Sequence, residues 1–159
     1  MSDLTKPITT TRRDFCACCS KSAALLAIAG AAAACGGSPT SPSASSSPLN
    51  SVSGTVSGRT VTVAIGASSP LASTGSMAIV QTSLGNFLLT RTGANTVSAL
   101  TATCTHEGCT ITGSSGSNFV CPCHGSTFTS SGSVVTGPAN RSLQQFNAQV
   151  TDGIVTFTA

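Results

Sequence analysis

Beyond residue 50 apolar residues recur in short runs set between turn signals, and where they alternate with polar ones the period of two belongs to strands. Thr60-Val-Thr-Val-Ala-Ile65 is the clearest stretch. Met77 to Thr82 and Asn86 to Arg91 flank Ser83-Leu84-Gly85, a hairpin signal. Val97 to Thr101, Phe119-Val120 and Thr127-Phe128 are shorter strand candidates. Leu143 to Val150 and Ile154 to Thr158 flank Thr151-Asp152-Gly153, a second hairpin. Gly and Ser clusters between the runs mark loops. After residue 35 there is no helical period and no internal repeat. The pattern predicts an all-β fold, an antiparallel sandwich or small barrel, over residues 51–159.

The pattern before residue 50 is different. Ala23 to Ala34 is a weakly apolar run with only Leu25, Leu26 and Ile28 among alanines and small residues. It is too short to span a bilayer as an ordinary helix. Thr11-Arg12-Arg13-Asp14-Phe15 precedes it, a twin-arginine pattern, so residues 1–34 are expected to be an export signal. The competing reading, an Ala-rich buried helix, does not explain the basic flank. The run ends Ala32-Ala33-Ala34-Cys35-Gly36, which resembles a bacterial lipobox. Cleavage before Cys35 and lipidation of its sulfur are expected, although a Leu is usual where Ala32 stands. An ordinary signal-peptidase site is the alternative. Cys16, Cys18 and Cys19 lie inside the signal and would leave with it. Residues 35–50 are a Ser/Pro-rich tether without apolar period, and so without a core. Fully extended, such a tether reaches roughly 50 Å.

Composition then limits function. The 159 residues carry a formal charge of +3, but Lys6, Arg12, Arg13 and Lys21 all precede residue 35. Beyond it Arg59, Arg91 and Arg141 face Glu107 and Asp152, a net of +1. A nearly uncharged domain has no basic patch, so a nucleic-acid partner is not expected. Tyr and Trp are absent, which leaves Phe, Val, Ile and Leu to fill the core.

The chemistry is concentrated in two clusters, Cys104-Thr-His-Glu-Gly-Cys109 and Cys121-Pro-Cys-His-Gly-Ser126. The chain has two histidines, and both are here with half of its eight cysteines. Cys104, His106, Cys121 and His124 are the candidate metal ligands. Two thiolates and two imidazoles suit zinc. Common zinc modules, however, draw a Cys pair from one loop and a His pair from elsewhere. Here each loop mixes the two, which suits a two-iron cluster with thiolates on one iron and imidazoles on the other. Cys109 and Cys123 stand one per loop outside those positions, and in an oxidising compartment they could pair.

These two loops resemble those of Rieske [2Fe–2S] proteins, in the branch with a disulfide between the loops, as in quinol-oxidising cytochrome bc-type complexes and arsenite oxidase small subunits. The resemblance is strong from Cys104 to Ser126 and extends over about Val52 to Ala159. It implies a sandwich or barrel carrying a cluster-binding loop subdomain. It further implies that Cys104 and Cys121 bind one iron and that His106 and His124 bind the other. Cys109 and Cys123 would form the disulfide. Gly137-Pro138-Ala139 would be the loop covering the cluster, and Ser126 would donate a hydrogen bond to it. Two residues on, quinol-oxidising members carry a tyrosine with a second donor; here Phe128 stands, which implies a lower potential. Glu107 occupies a position that is a leucine in many of those members, at the tip where quinone docks.

No nucleotide loop, catalytic triad or mononuclear iron site accompanies the clusters. The expected function is one-electron transfer by a Rieske-type [2Fe–2S] cluster, with no catalytic site of its own. The protein would be exported to the periplasm and held on the membrane through lipidated Cys35. Its partner would be a c-type cytochrome or a periplasmic oxidoreductase subunit. A quinol-oxidising bc-type subunit and a zinc-bound structural module are the alternatives.

Overall fold

The computed structural model describes residues 45–159. The twin-arginine pattern, the Ala23–Ala34 run and Cys35 lie outside the described residues. Fourteen strands follow one another without a helix among the described residues. They are β1 (Ser47–Pro48), β2 (Asn50–Ser53), β3 (Thr55–Ser57), β4 (Thr60–Ala64), β5 (Met77–Thr82), β6 (Gly85–Arg91) and β7 (Val97–Thr101). After them come β8 (Gly113–Ser115), β9 (Asn118–Val120), β10 (Thr127–Thr129), β11 (Val134–Thr136), β12 (Gln145–Phe146), β13 (Ala148–Thr151) and β14 (Ile154–Thr158).

Three sheets result. The central one runs β12-β7-β6-β5-β2, an outer one β13-β14-β4-β3, and a third β1-β8-β9-β10-β11. The all-β expectation holds. Pairing is antiparallel throughout except between β2 and β5, which are parallel. The central sheet is covered on both faces, which explains its near-continuous apolar strands. Val80, Phe87, Leu89 and Ala99 point to a core shared with Val61, Val155 and Phe157 of the outer sheet. Their neighbours Ile79, Leu88 and Leu100 point the other way, into a second core with Phe119 and Phe128 of the third sheet. Alternation along a strand divides one sheet between two cores.

Both predicted hairpins are present. Met77–Thr82 pairs with Gly85–Arg91 across a two-residue turn. Val150 and Val155 pair across Asp152-Gly153, where both turn residues have positive φ, 50° and 73°.

Two expectations need correction. Leu143 to Val150 is not one strand. It divides at Asn147, with β12 pairing to β7 in the central sheet and β13 to β14 in the outer one. The chain crosses here from one layer to the next, and an unbroken alternation does not reveal which layer each half joins. The tether also ends earlier than residue 50. Ser47 and Pro48 pair with Ser114 and Gly113, and the Leu49 N–H donates to Thr112 O at 2.8 Å. The approach is close: a Cβ on Gly113 would lie 2.8 Å from Ser46 Oγ and 3.2 Å from Val120 O. Leu49 packs against the second core and Asn50 begins β2, so the chain enters the fold by touching the third sheet first.

Candidate metal centre

The two Cys/His loops share one backbone design. Cys104 N–H donates to Cys109 O at 2.8 Å, and Gly108 N–H donates to Cys104 O at 2.9 Å. In the second loop Cys121 N–H donates to Ser126 O at 2.8 Å, and Gly125 N–H donates to Cys121 O at 3.1 Å. Each loop is thus a six-residue turn closed from its first cysteine, with a glycine at the fifth position. Those glycines have φ of 76° and 73°, where a side chain would be strained. Both clusters carry this turn in sequence as Cys-x-x-x-Gly. The first loop continues from β7 and closes on the Thr103–Thr110 bridge; the second joins β9 to β10.

This design brings the predicted residues together. Cys104 and Cys121 are unpaired thiols, 2% and 1% exposed, built into the second core. His106 and His124 lie at the surface with ring centroids 5.1 Å apart and planes at 88°. Cys109 and Cys123 form a disulfide that joins the two loops, with Cα atoms 6.5 Å apart. The sulfurs of Cys109, Cys121 and Cys123 lie within 4.8 Å of one another, so the free Cys121 thiol sits beside the oxidised pair.

Charge is the unsolved problem of this donor set. Burial pushes the Cys121 thiol up, and neighbouring Cys104 pushes the same way. The Cys123 and His124 backbone groups bonded to Cys121 pull it down. Two thiolates in one buried place repel unless a cation lies between them. A bound metal supplies that cation. The donor set therefore fits a centre with a sulfur-rich buried side and an imidazole-bearing surface side.

A third segment braces both loops. Ala139 N–H donates to Ser126 Oγ at 3.1 Å, and Thr105 Oγ1 donates to Arg141 O at 2.6 Å. The Gly137–Ala139 segment thus lies against the second loop, and its continuation holds the first. Thr105 and Arg141 were not anticipated; a backbone acceptor leaves no mark in sequence.

Glu107 reaches both imidazoles. Its Oε1 is 3.6 Å from His106 Nε2 and its Oε2 is 3.8 Å from His124 Nδ1. It is 61% exposed at the side chain, so these contacts add little stability. They place a carboxylate beside both imidazoles. An open groove of about 650 Å³ runs beside the first loop, with Thr103, Thr105, His106, Glu107 and Arg141 in its walls.

Residues 61–147 match the model of the Rieske [2Fe–2S] domain family. The cytochrome b6-f complex iron–sulfur subunit of Cyanothece sp. is 48% identical over 60 residues, which are 37% of this chain and 34% of that subunit. The corresponding subunit of a Synechococcus species is 41% identical over 73 residues, 45% of this chain and 42% of that one. The chain thus spans well under half the length of the curated relatives it matches. Among solved structures, the plasma membrane Rieske protein of the cyanobacterium Synechocystis is 34% identical, with a TM-score of 0.47 over 52% of this chain and 86% of that one.

Proposed function

The chain belongs to the Rieske [2Fe–2S] family and carries that family's cluster, and from that premise we propose that it is an exported one-electron carrier or the electron-relay subunit of a small oxidoreductase. When bound, the cluster accepts and returns single electrons. Cys104 and Cys121 would hold the buried iron, and His106 and His124 the outer one. One observation carries this reading. Two free, buried thiols and two surface imidazoles are presented by a matched pair of loops joined by a disulfide.

The residues around the centre each have a task. The buried cysteine side excludes water and keeps the sulfurs in the core. The imidazole side is the face a partner reaches. The disulfide and the Gly137–Ala139 segment keep the two loops in register, so that gaining or losing charge moves little. Ser126 offers its hydroxyl to the cluster, which favours the more negative reduced state.

We further infer that the domain works outside the cytoplasmic membrane. Supporting this are the twin-arginine pattern, the lipobox-like end at Cys35 and a Ser/Pro-rich tether that reaches the fold at Ser47. A c-type cytochrome or a periplasmic oxidoreductase subunit would be the partner. The disulfide and the similarity to cytochrome b6-f subunits favour a second reading, a subunit of a quinol-oxidising complex. Glu107 between the imidazoles weighs against it, because a carboxylate disfavours contact with an apolar quinone.

The test is purification under anaerobic conditions. Two irons and two acid-labile sulfides per chain, with a reduced-state EPR signal of low average g, are expected. Colourless protein with stoichiometric zinc and no sulfide would refute the proposal. Mass analysis of the mature N-terminus checks cleavage and lipidation at Cys35.

A further inference from the structure

Ser126 is fully buried, and in this structure its hydroxyl oxygen accepts a hydrogen bond from Ala139 N–H at 3.1 Å. A serine hydroxyl has one hydrogen to give and two lone pairs to receive. With one lone pair held by an amide, the O–H must turn away from Ala139. An otherwise free rotor is thereby restricted.

The approach that makes this possible depends on Gly137. A Cβ there would lie 2.4 Å from Ser126 Cα, 2.8 Å from its N and 2.9 Å from its Oγ. Gly137 also has φ of 101°, which side chains resist. Only glycine lets the segment lie flat on Ser126, and only then does the Ala139 amide reach the hydroxyl. Pro138 between them is exposed and restricts the backbone leading to Ala139.

We propose that Gly137 and Ala139 are positioning residues for Ser126: they orient its hydroxyl as a donor toward the cluster, and they set the redox potential through it. The segment is thus more than a cover. It excludes one orientation of a single O–H and so biases the donor away from the segment and toward the cluster side. This rests on the cluster assignment above.

A double-mutant cycle on the cluster-loaded protein tests it, read by redox titration and EPR. Ser126→Ala should lower the potential, and Gly137→Ala should lower it as well. In the combined variant the potential should equal that of Ser126→Ala alone. Pro138→Gly is the milder arm, since it loosens the segment at an exposed position. It should lower the potential and broaden the EPR line when Ser126 is present, and change neither in the Ser126→Ala background. Equal shifts with and without the Ser126 hydroxyl would overturn the proposal, as would a Pro138→Gly or Gly137→Ala potential identical to wild type. Loss of the EPR signal from wild-type protein would instead sink the cluster assignment itself.

Discussion

The central sheet has two packed faces, and they are made in different ways. The face toward β4 and β14 meets strands of five residues with a regular period of two. Its core is Val, Phe, Leu and Ala carried by those strands. The face toward the loops meets strands of two or three residues, too short to cover it. Its core is completed by Ile111, Ala139 and Leu143 from connecting segments, and by Cys104 and Cys121. On one side apolar area alone closes the layer. On the other, the metal-binding thiols are core residues, and a disulfide and single hydrogen bonds take over from periodic strands.

The largest effect expected from this contrast comes from one buried ring on each side. Phe157 and Phe128 are both fully buried. Phe157→Ala and Phe128→Ala should each cost about 3–5 kcal/mol of stability. Their consequences for the centre should differ. Protein carrying Phe157→Ala should keep its iron and its potential, whereas Phe128→Ala should lose iron, because Phe128 packs in the same core as Cys104 and Cys121. Denaturant melts followed by visible absorbance and by circular dichroism check this. Equal iron retention in the two variants would mean that the two faces are not independent.

The same contrast explains what the sequence made legible. β4 and β14 announce themselves because a strand with one buried face writes a period of two, and β5, β6 and β7 because strands covered on both faces write short, near-continuous apolar runs. The ligand set was legible because Cys and His are rare here and clustered. β8 and β11 were not, since Gly113-Ser-Ser and Val134-Val-Thr have no alternation to detect. β1 was hidden for a related reason: Ser47 and Pro48 join a sheet through backbone bonds, and their side chains stay exposed. The layer change at Asn147 was invisible because the alternation Phe146-Asn-Ala-Gln-Val150 runs through it unbroken and only the strands' partners differ. The braces at Ala139 and Arg141 use backbone groups, which every residue possesses.

The disulfide should have the next largest effect. Cys109 and Cys123 are 14 residues apart in sequence. Closing a loop of that size is worth about 3 kcal/mol in the chain-entropy account. Cys109→Ser with Cys123→Ser should therefore lower the unfolding free energy of the loop layer by about 2–4 kcal/mol. Hydrogen exchange should rise in β8 to β11 while the amides of β4 and β14 stay protected. Uniform acceleration across all three sheets would show that the layers unfold as one unit.

Phe128→Tyr should act on the centre rather than on the fold. It adds an O–H at a fully buried position in the core that holds both free thiols. A hydrogen bond to a charged acceptor contributes about 1.5–3 kcal/mol. Realised at the more negative reduced cluster, it should raise the potential. A redox titration superimposable on that of wild type would remove Phe128 from the residues that tune the centre.

The smallest effect should come from the loop-facing side of the central sheet itself. Thr90 and Ser98 stand opposite each other on β6 and β7, buried, and neither hydroxyl has a hydrogen-bond partner in the structure. By alternation they share the face of Leu88 and Leu100, where the loop layer packs, and not the face of Leu89 and Ala99. Unpaired buried hydroxyls are costly, and replacing both with apolar groups of similar shape is close to neutral or stabilising. Thr90→Val with Ser98→Ala should therefore leave stability unchanged or raise it by up to about 1 kcal/mol, with the cluster intact. A loss above about 2 kcal/mol in a denaturant melt would mean that the hydroxyls are satisfied after all. The loop-facing core would then be as specifically packed as its counterpart, and the two faces would differ only in strand length.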